Sequence, residues 1–173
     1  MMKLYLKIAG LVLISCFVVA HYVKAQPEED SAVECLAKNM YYEARNQGTA
    51  GLLAVTAVVI NRVNDSRFPN TVCEVIKQGP IRPSWKRDGT FFPIKHRCQF
   101  SWWCDGKNDE PKEVEKYETF LKYAGEILNG DLPFIDITDG ATHYHADYVT
   151  PAWAKTKTRT IEIEDHIFYK WNK

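Results

Sequence analysis

The chain has 173 residues, 46% of them apolar and 13% aromatic, and its 22 basic residues balance its 22 acidic ones. With no basic surplus to neutralise phosphates, nucleic-acid binding is excluded. Lys3, Lys7 and Lys24 fall in the first 25 residues, which hold no acid; the remainder is therefore acidic by three charges and offers no overall electrostatic pull toward anionic membranes.

The first 25 residues read as a secretory leader. Lys3 and Lys7 start it, an uncharged apolar run follows from Ile8 to Ala20, and Val23-Lys24-Ala25 suits cleavage before Gln26. Val18-Val19-Ala20 is a second cleavage candidate, and an uncleaved anchor is the alternative, although the run is short for a membrane span. Either way the rest is exported. Of five cysteines, Cys16 lies in the leader. Cys35, Cys73, Cys98 and Cys104 suit two disulfides in an oxidising compartment, with three pairings open. A zinc site built from these thiols is the rival, weakened by the lack of any C-x-x-C pair.

Residues 26–33 are expected to form a short N-terminal arm, and the remainder to form one domain with one core. Ser31 and Glu34 make a capping box, and Val33, Leu36, Ala37, Met40 and Ala44 recur at helical spacing, with Gly48 as a stop. At 100° per residue, Glu43 falls on the edge of this stripe beside Leu36 and Met40, while Tyr42 and Arg45 point elsewhere. A partly desolvated carboxyl there would hold its proton at neutral pH and serve as a general acid. A solvated acid, or one paired with Arg62 or Arg67, fits the position equally well.

Leu52 to Val63 is nearly all apolar without alternation, which predicts a helix buried on most sides, closed by Asn61 and by Arg62 complementing its C-terminus. Thr71 and Glu74 cap a short helix after Pro69. Residues 79–97, rich in Gly, Pro and charge, read as a long loop. Cys98-Gln-Phe-Ser-Trp-Trp-Cys104 and the turn Asp105-Gly106 follow. Residues 112–129 form an amphipathic helix with Val114, Tyr117, Leu121, Ala124 and Leu128 on one face and Gly130 beyond its end. The period then changes: Ala141 to Tyr148 predicts a strand, and Arg159–Ile163 with His166–Trp171 a hairpin turning near Glu164-Asp165. Helices first and strands last imply an α+β domain.

Five ordered blocks carry a resemblance. They are Leu36-Ala-Lys-Asn-Met-Tyr-Tyr-Glu43-Ala-Arg45; Gly51 with Ala54-Val-Thr-Ala-Val-Val-Ile-Asn61-Arg62-Val63; Phe68-Pro69 with Thr71-Val-Cys73; Cys98-Gln99-Phe100-Ser101-Trp102 with Asp105-Gly106; and Gly140-Ala-Thr-His-Tyr-His145, Pro151-Ala-Trp153 and Asp165-His166-Ile-Phe168-Tyr169. Over residues 34–171 the chain resembles the SleB/CwlJ-type cell wall hydrolases, the family that includes spore cortex-lytic enzymes. The resemblance implies a compact lysozyme-like α+β domain over residues 34–173, with a helical body and a small C-terminal antiparallel sheet. It implies action on peptidoglycan glycan strands, Glu43 as catalytic acid, and a lytic transglycosylase rather than a true lysozyme. One departure is Glu164, where the family has glycine before Asp-His. Spore-type relatives also carry tyrosine and asparagine near His143-Tyr144-His145.

In that reading Glu43 acts as acid and then base between N-acetylmuramic acid and N-acetylglucosamine, without a cofactor. Gln99, Phe100, Ser101, Trp102, Tyr144, His143 and His145 are the expected substrate-binding residues, with Trp153 a weaker candidate. For Phe100 and Trp102 a core role is at least as good a reading. A muramidase would need a second carboxylate, from Asp105, Asp139 or Asp147. A zinc amidase or peptidase would use His143, His145 and His166. A non-catalytic wall-binding protein is the third class. The expected partner is the glycan strand, with no nucleic acid and no integral membrane partner; the chain is expected to be a monomer of the periplasm or cell envelope.

Overall fold

The computed structural model describes residues 30–172. The leader, its cleavage candidates and residues 26–29 of the arm lie outside the described residues. Among the described residues no helix is long and apolar enough to cross a membrane.

Helix α1 spans Ala32–Ala44, so the last residues assigned to the arm are helical. Both halves of its capping box form: Ser31 Oγ accepts from Glu34 N at 3.2 Å, and the Glu34 carboxylate accepts from Ser31 N at 2.7 Å. The helix ends at Arg45, short of Gly48, because Gly48 is the N-cap of α2, Thr49–Val63. The glycine read as a stop is a start. Helix α2 is the central support. Its Val55 and Val59 share one core cluster with residues of α1, of the short helix α3 (Val72–Ile76) and of α4 (Val114–Asn129), which packs on α1, while Ala54 and Val58 face the sheet side with Phe168. Phe120, Ala124 and Ile127 form the buried centre of the α4 face, the expected Tyr117, Leu121 and Leu128 pack at its margin, and Val114 is exposed. Gly130 closes α4 with φ +79°, a left-handed geometry that glycine adopts without penalty.

Residues 79–97 are not a structureless loop. They hold a two-stranded antiparallel ribbon, β1 (Ile81–Pro83) with β2 (Phe91–Pro93). The C-terminal sheet has three antiparallel strands, β3 (His143–Ala146), β4 (Lys157–Ile163) and β5 (His166–Trp171), in the order β3-β5-β4. This is the α+β architecture expected of the chain, a helical body beside a small sheet.

Glu164 resolves the departure at the hairpin turn. It adopts φ +51°, a strained geometry for a non-glycine residue. In return its carboxylate accepts from Gly48 N at 2.7 Å and Gly51 N at 3.1 Å, satisfying free donors at the start of α2. A Cβ on Gly51 would come within 2.6 Å of that carboxylate, so glycine there makes the room.

The disulfides are Cys35–Cys73, which ties α1 to α3, and Cys98–Cys104, which closes a tight loop. All four thiols are thereby consumed, and the thiolate zinc site falls. Cys35–Cys73 closes 38 residues of sequence. Replacing both cysteines by alanine should lower unfolding stability by about 2–4 kcal/mol, measured as a shift in urea midpoint at unchanged m.

Candidate active site

Glu43 sits in the last turn of α1, beside the core residue Ala44. Tyr144, on β3, donates its hydroxyl to Glu43 Oε2 at 2.9 Å. The end of α2 holds the segment that delivers Tyr144. Asn61 Nδ2 donates to Asp136 Oδ2 (2.9 Å) and Ala141 O (3.0 Å), and Arg62 Nε donates to Thr142 O at 2.7 Å. Arg62 therefore grips the strand entry instead of complementing its own helix end. Its guanidinium is buried between the rings of Phe68 and Phe100, with centroids 5.3 and 5.2 Å away.

Burial dominates the electrostatics. Desolvation raises the Glu43 pKa, and the Tyr144 hydrogen bond and the Arg62 charge oppose it. Tyr144 is pushed well above its usual value, mainly by burial and then by the Glu43 charge, so it remains a donor. Arg62 is lowered to about 10 by burial and stays cationic at neutral pH. The acid form of Glu43 therefore persists to higher pH than in an exposed glutamate, and its carboxylate form still has a hydrogen bond and a nearby cation.

Three hollows meet at Glu43. The largest, about 630 Å³, runs past Tyr42, Ser101 and Trp102 to the 105–112 loop. A second passes Gln47, Tyr148 and His166. The third holds Arg62, Gln99, Ser101, His143, Tyr144 and Trp153. Together they form a groove with one carboxyl at its centre.

Gln99, Ser101, Trp102, His143 and Tyr144 line this groove. Trp102 is largely buried, stacked on Tyr42 at 4.8 Å with its Nε1 donating to Asn39 Oδ1, and presents only an edge. Two expected substrate contacts are corrected. Phe100 is 2% exposed and belongs to the core beneath Arg62. His145 is buried off the groove, its Nδ1 bonded to Ala146 O at 2.8 Å and its Nε2 to Tyr169 OH at 3.0 Å. A carbonyl only accepts, so Nδ1 carries the hydrogen and the ring is spent on the hairpin.

The trio His143, His145 and His166 is also corrected as a zinc site. His143 and His145 share one face of β3, whereas His166 pairs with Ala146 and shares the opposite face with Tyr144 and Phe168. The sheet separates the third ligand from the first two. Among the described residues no group of three His, Cys, Asp or Glu side chains could hold a metal. His143 is driven down to about 3 by burial and by the cations Lys157, Arg62 and Arg67, so it is neutral at the groove wall.

Of the second-carboxylate candidates, Asp105 lines the large hollow, and hydrogen bonds from Lys107 hold it below the usual carboxylate range. Asp139 is an exposed partner of Lys170 at 2.6 Å, away from the groove, and Asp147 does not line it either. Asp109, not anticipated, lines the large hollow and is raised by burial. Tyr42, Arg45 and Tyr148 are further groove residues missed in the sequence. For Tyr42 and Arg45 a signal existed: both point away from the apolar stripe of α1 at the end where Glu43 lies.

Residues 46–169 match the Cell Wall Hydrolase family. The chain belongs to that family. The matched span begins three residues beyond Glu43. This cell wall hydrolase is similar to the spore cortex-lytic enzyme of Halalkalibacterium halodurans, 28% identical over 140 residues that cover 80% of the chain and 34% of that protein. A spore cortex-lytic enzyme of Bacillus cereus is 29% identical over 139 residues, covering 80% of the chain and 44% of that protein. The chain thus spans between a third and a half of these relatives. Two solved structures share its fold, both at 28% identity. The catalytic domain of the Bacillus cereus SleB protein superposes with a TM-score of 0.53, over 83% of this hydrolase and 94% of that chain. The catalytic domain of the germination-specific lytic transglycosylase SleB from Bacillus anthracis gives 0.54, over 84% and 100%. The fold of this cell wall hydrolase is accordingly lysozyme-like.

Proposed function

We propose that this cell wall hydrolase is exported to the periplasm or cell envelope and cleaves peptidoglycan glycan strands there as a lytic transglycosylase. The observation that carries the reading is the desolvated carboxyl of Glu43, hydrogen-bonded by Tyr144 and, among the described residues, the one carboxyl that lines all three hollows. Protonated Glu43 gives its hydrogen to the glycosidic oxygen as the bond from that oxygen to C1 of N-acetylmuramic acid breaks. N-acetylglucosamine leaves with a new hydroxyl. The Glu43 carboxylate then takes the proton from the muramic acid 6-hydroxyl, and that oxygen closes on C1 to give a 1,6-anhydro end. Glu43 finishes protonated, so one group suffices as acid and then base. Tyr144 and Arg62 stabilise its charged interval. Gln99 and Ser101 supply an amide and a hydroxyl suited to N-acetyl and hydroxyl groups of the sugars.

Digestion of purified sacculi followed by mass spectrometry tests the reading. Anhydro-muropeptides, one water lighter than hydrolysis products, are the expected result. Reducing ends would instead assign a muramidase using Asp105 or Asp109, and free stem peptides an amidase.

The pH profile gives an independent check. Activity should fall as pH rises through the raised pKa of Glu43, because the acid form is consumed. In Tyr144→Phe the bond that lowers this pKa is gone, so the alkaline limb should move to higher pH. The maximal rate should drop roughly 10- to 100-fold, the worth of a hydrogen bond to a charged group.

A further inference from the structure

The ribbon between Gly79 and Arg97 is unlike the rest of the surface. Directly opposed residues share a face, so Ile81, Pro83, Phe91 and Pro93 form one apolar side. Among the described residues this side is left open: Ile81 is 60% exposed and Phe91 59%. Phe92 is half-exposed on the other side with Arg82, and Trp85, at the turn, is 84% exposed. A lone two-stranded ribbon gains little stability from exposing such residues.

The segment carries five cations, Arg82, Lys86 and Arg87 on the ribbon and its turn and Lys95 and Arg97 at its root, against one acid, Asp88, whose carboxylate is occupied by Thr90. All five are exposed, and none forms an ion pair among the described residues. The whole chain is formally neutral, so this segment of net +4 stands against a remainder of −4. The overall charge balance conceals a basic arm on an acidic body.

The arm is fixed at its root. Gln99 N donates to Gln78 O at 2.9 Å, His96 N to Cys104 O at 3.0 Å, and the Cys98–Cys104 disulfide lies beside them. Gly79 packs so closely under Cys98 that a Cβ there would meet its Cα at 3.0 Å.

We propose that this ribbon is a docking arm for an anionic phospholipid surface. Ile81, Phe91 and Trp85 enter the interfacial region, and Arg82, Lys86 and Arg87 lie among the headgroup phosphates. Charge complementarity favours this occupant: the unpaired cations Arg82, Lys86 and Arg87 flank an aromatic tip, the arrangement that suits an anionic interface. Pro83 and Pro93 deprive both strands of N–H donors, which counts against a protein partner adding a strand to the edge. The arm continues directly into Gln99 and Ser101, so docking would hold the groove close to the bilayer.

The test compares the full chain with Trp85→Phe and with the double variant Arg82→Glu/Lys86→Glu. Any contribution of the 8–20 apolar run is common to all three. Vesicles of phosphatidylglycerol and phosphatidylcholine with brominated acyl chains should quench a fluorescence component that Trp85→Phe lacks. Phosphatidylcholine vesicles alone should not. The double variant should partition at least about tenfold more weakly at low salt, while binding to purified sacculi is unchanged. Equal quenching in native and Trp85→Phe chains, or vesicle affinity indifferent to the charge reversals, would overturn the proposal. So would loss of sacculus binding in the double variant, which marks a wall-polymer site, or loss of a native dimer in it, which marks a second copy.

Discussion

Glu43→Gln should lower sacculus lysis by on the order of 10³–10⁴-fold, because a group that acts as acid and then base is removed from both halves of the reaction. The fold should survive, since the amide oxygen can still accept from Tyr144. The same substitution should raise stability at neutral pH. In the unfolded chain Glu43 ionises near its ordinary value of 4.5; in the folded chain desolvation raises it. Its contribution to stability is therefore greatest below that ordinary value and declines as pH rises through the folded pKa. Glutamine has no proton to lose and escapes the decline. Calorimetry should find the variant melting above the native protein at pH 7, with the gap closing toward pH 4. A variant that retains lysis removes Glu43 from the chemistry; one that melts lower at pH 7 contradicts its desolvation.

Phe168→Ala should produce the largest loss of stability, about 3–5 kcal/mol. Phe168 is fully buried and joins β5 to Ala54 and Val58 of α2 and to Ala141. It also supports the site, since its ring lies 5.6 Å from that of Tyr144. A cavity there removes the floor beneath the hydroxyl that holds Glu43. Urea unfolding measures the first effect. Lysis at a temperature where the variant remains folded measures the second, and Phe168→Leu should recover most of both by refilling the volume.

Much of the architecture was legible because it is written in local chemistry. The capping box at Ser31 and Glu34 starts α1 where expected, and Glu43 falls where helical spacing puts it. The hairpin of β4 and β5 turns at Glu164 and Asp165, between the two strand-patterned segments 159–163 and 166–171. Misreadings occurred where one residue type serves two purposes. Gly48 ends a helix in one context and begins one in another, and only the approach of the Glu164 carboxylate decides. Arg62 near a helix C-terminus suggested a local role, yet its side chain crosses to Thr142. The histidines at 143, 145 and 166 looked like one cluster because sequence does not reveal strand register. Once β5 pairs with β3, His166 lies across the sheet from the other two.

The sequence alone determined the α+β class, the helix that carries Glu43, and the even set of cysteines available for pairing, because capping, periodicity and composition act over a few residues. Tertiary structure decided which cysteines pair, which aromatic residues are core and which line a groove, and what surrounds Glu43. Tyr144 lies 101 positions from the carboxyl it bonds, and Arg62 reaches that neighbourhood from a different helix. Desolvation and through-space charge depend on the packed neighbours, and no spacing rule along the chain specifies them.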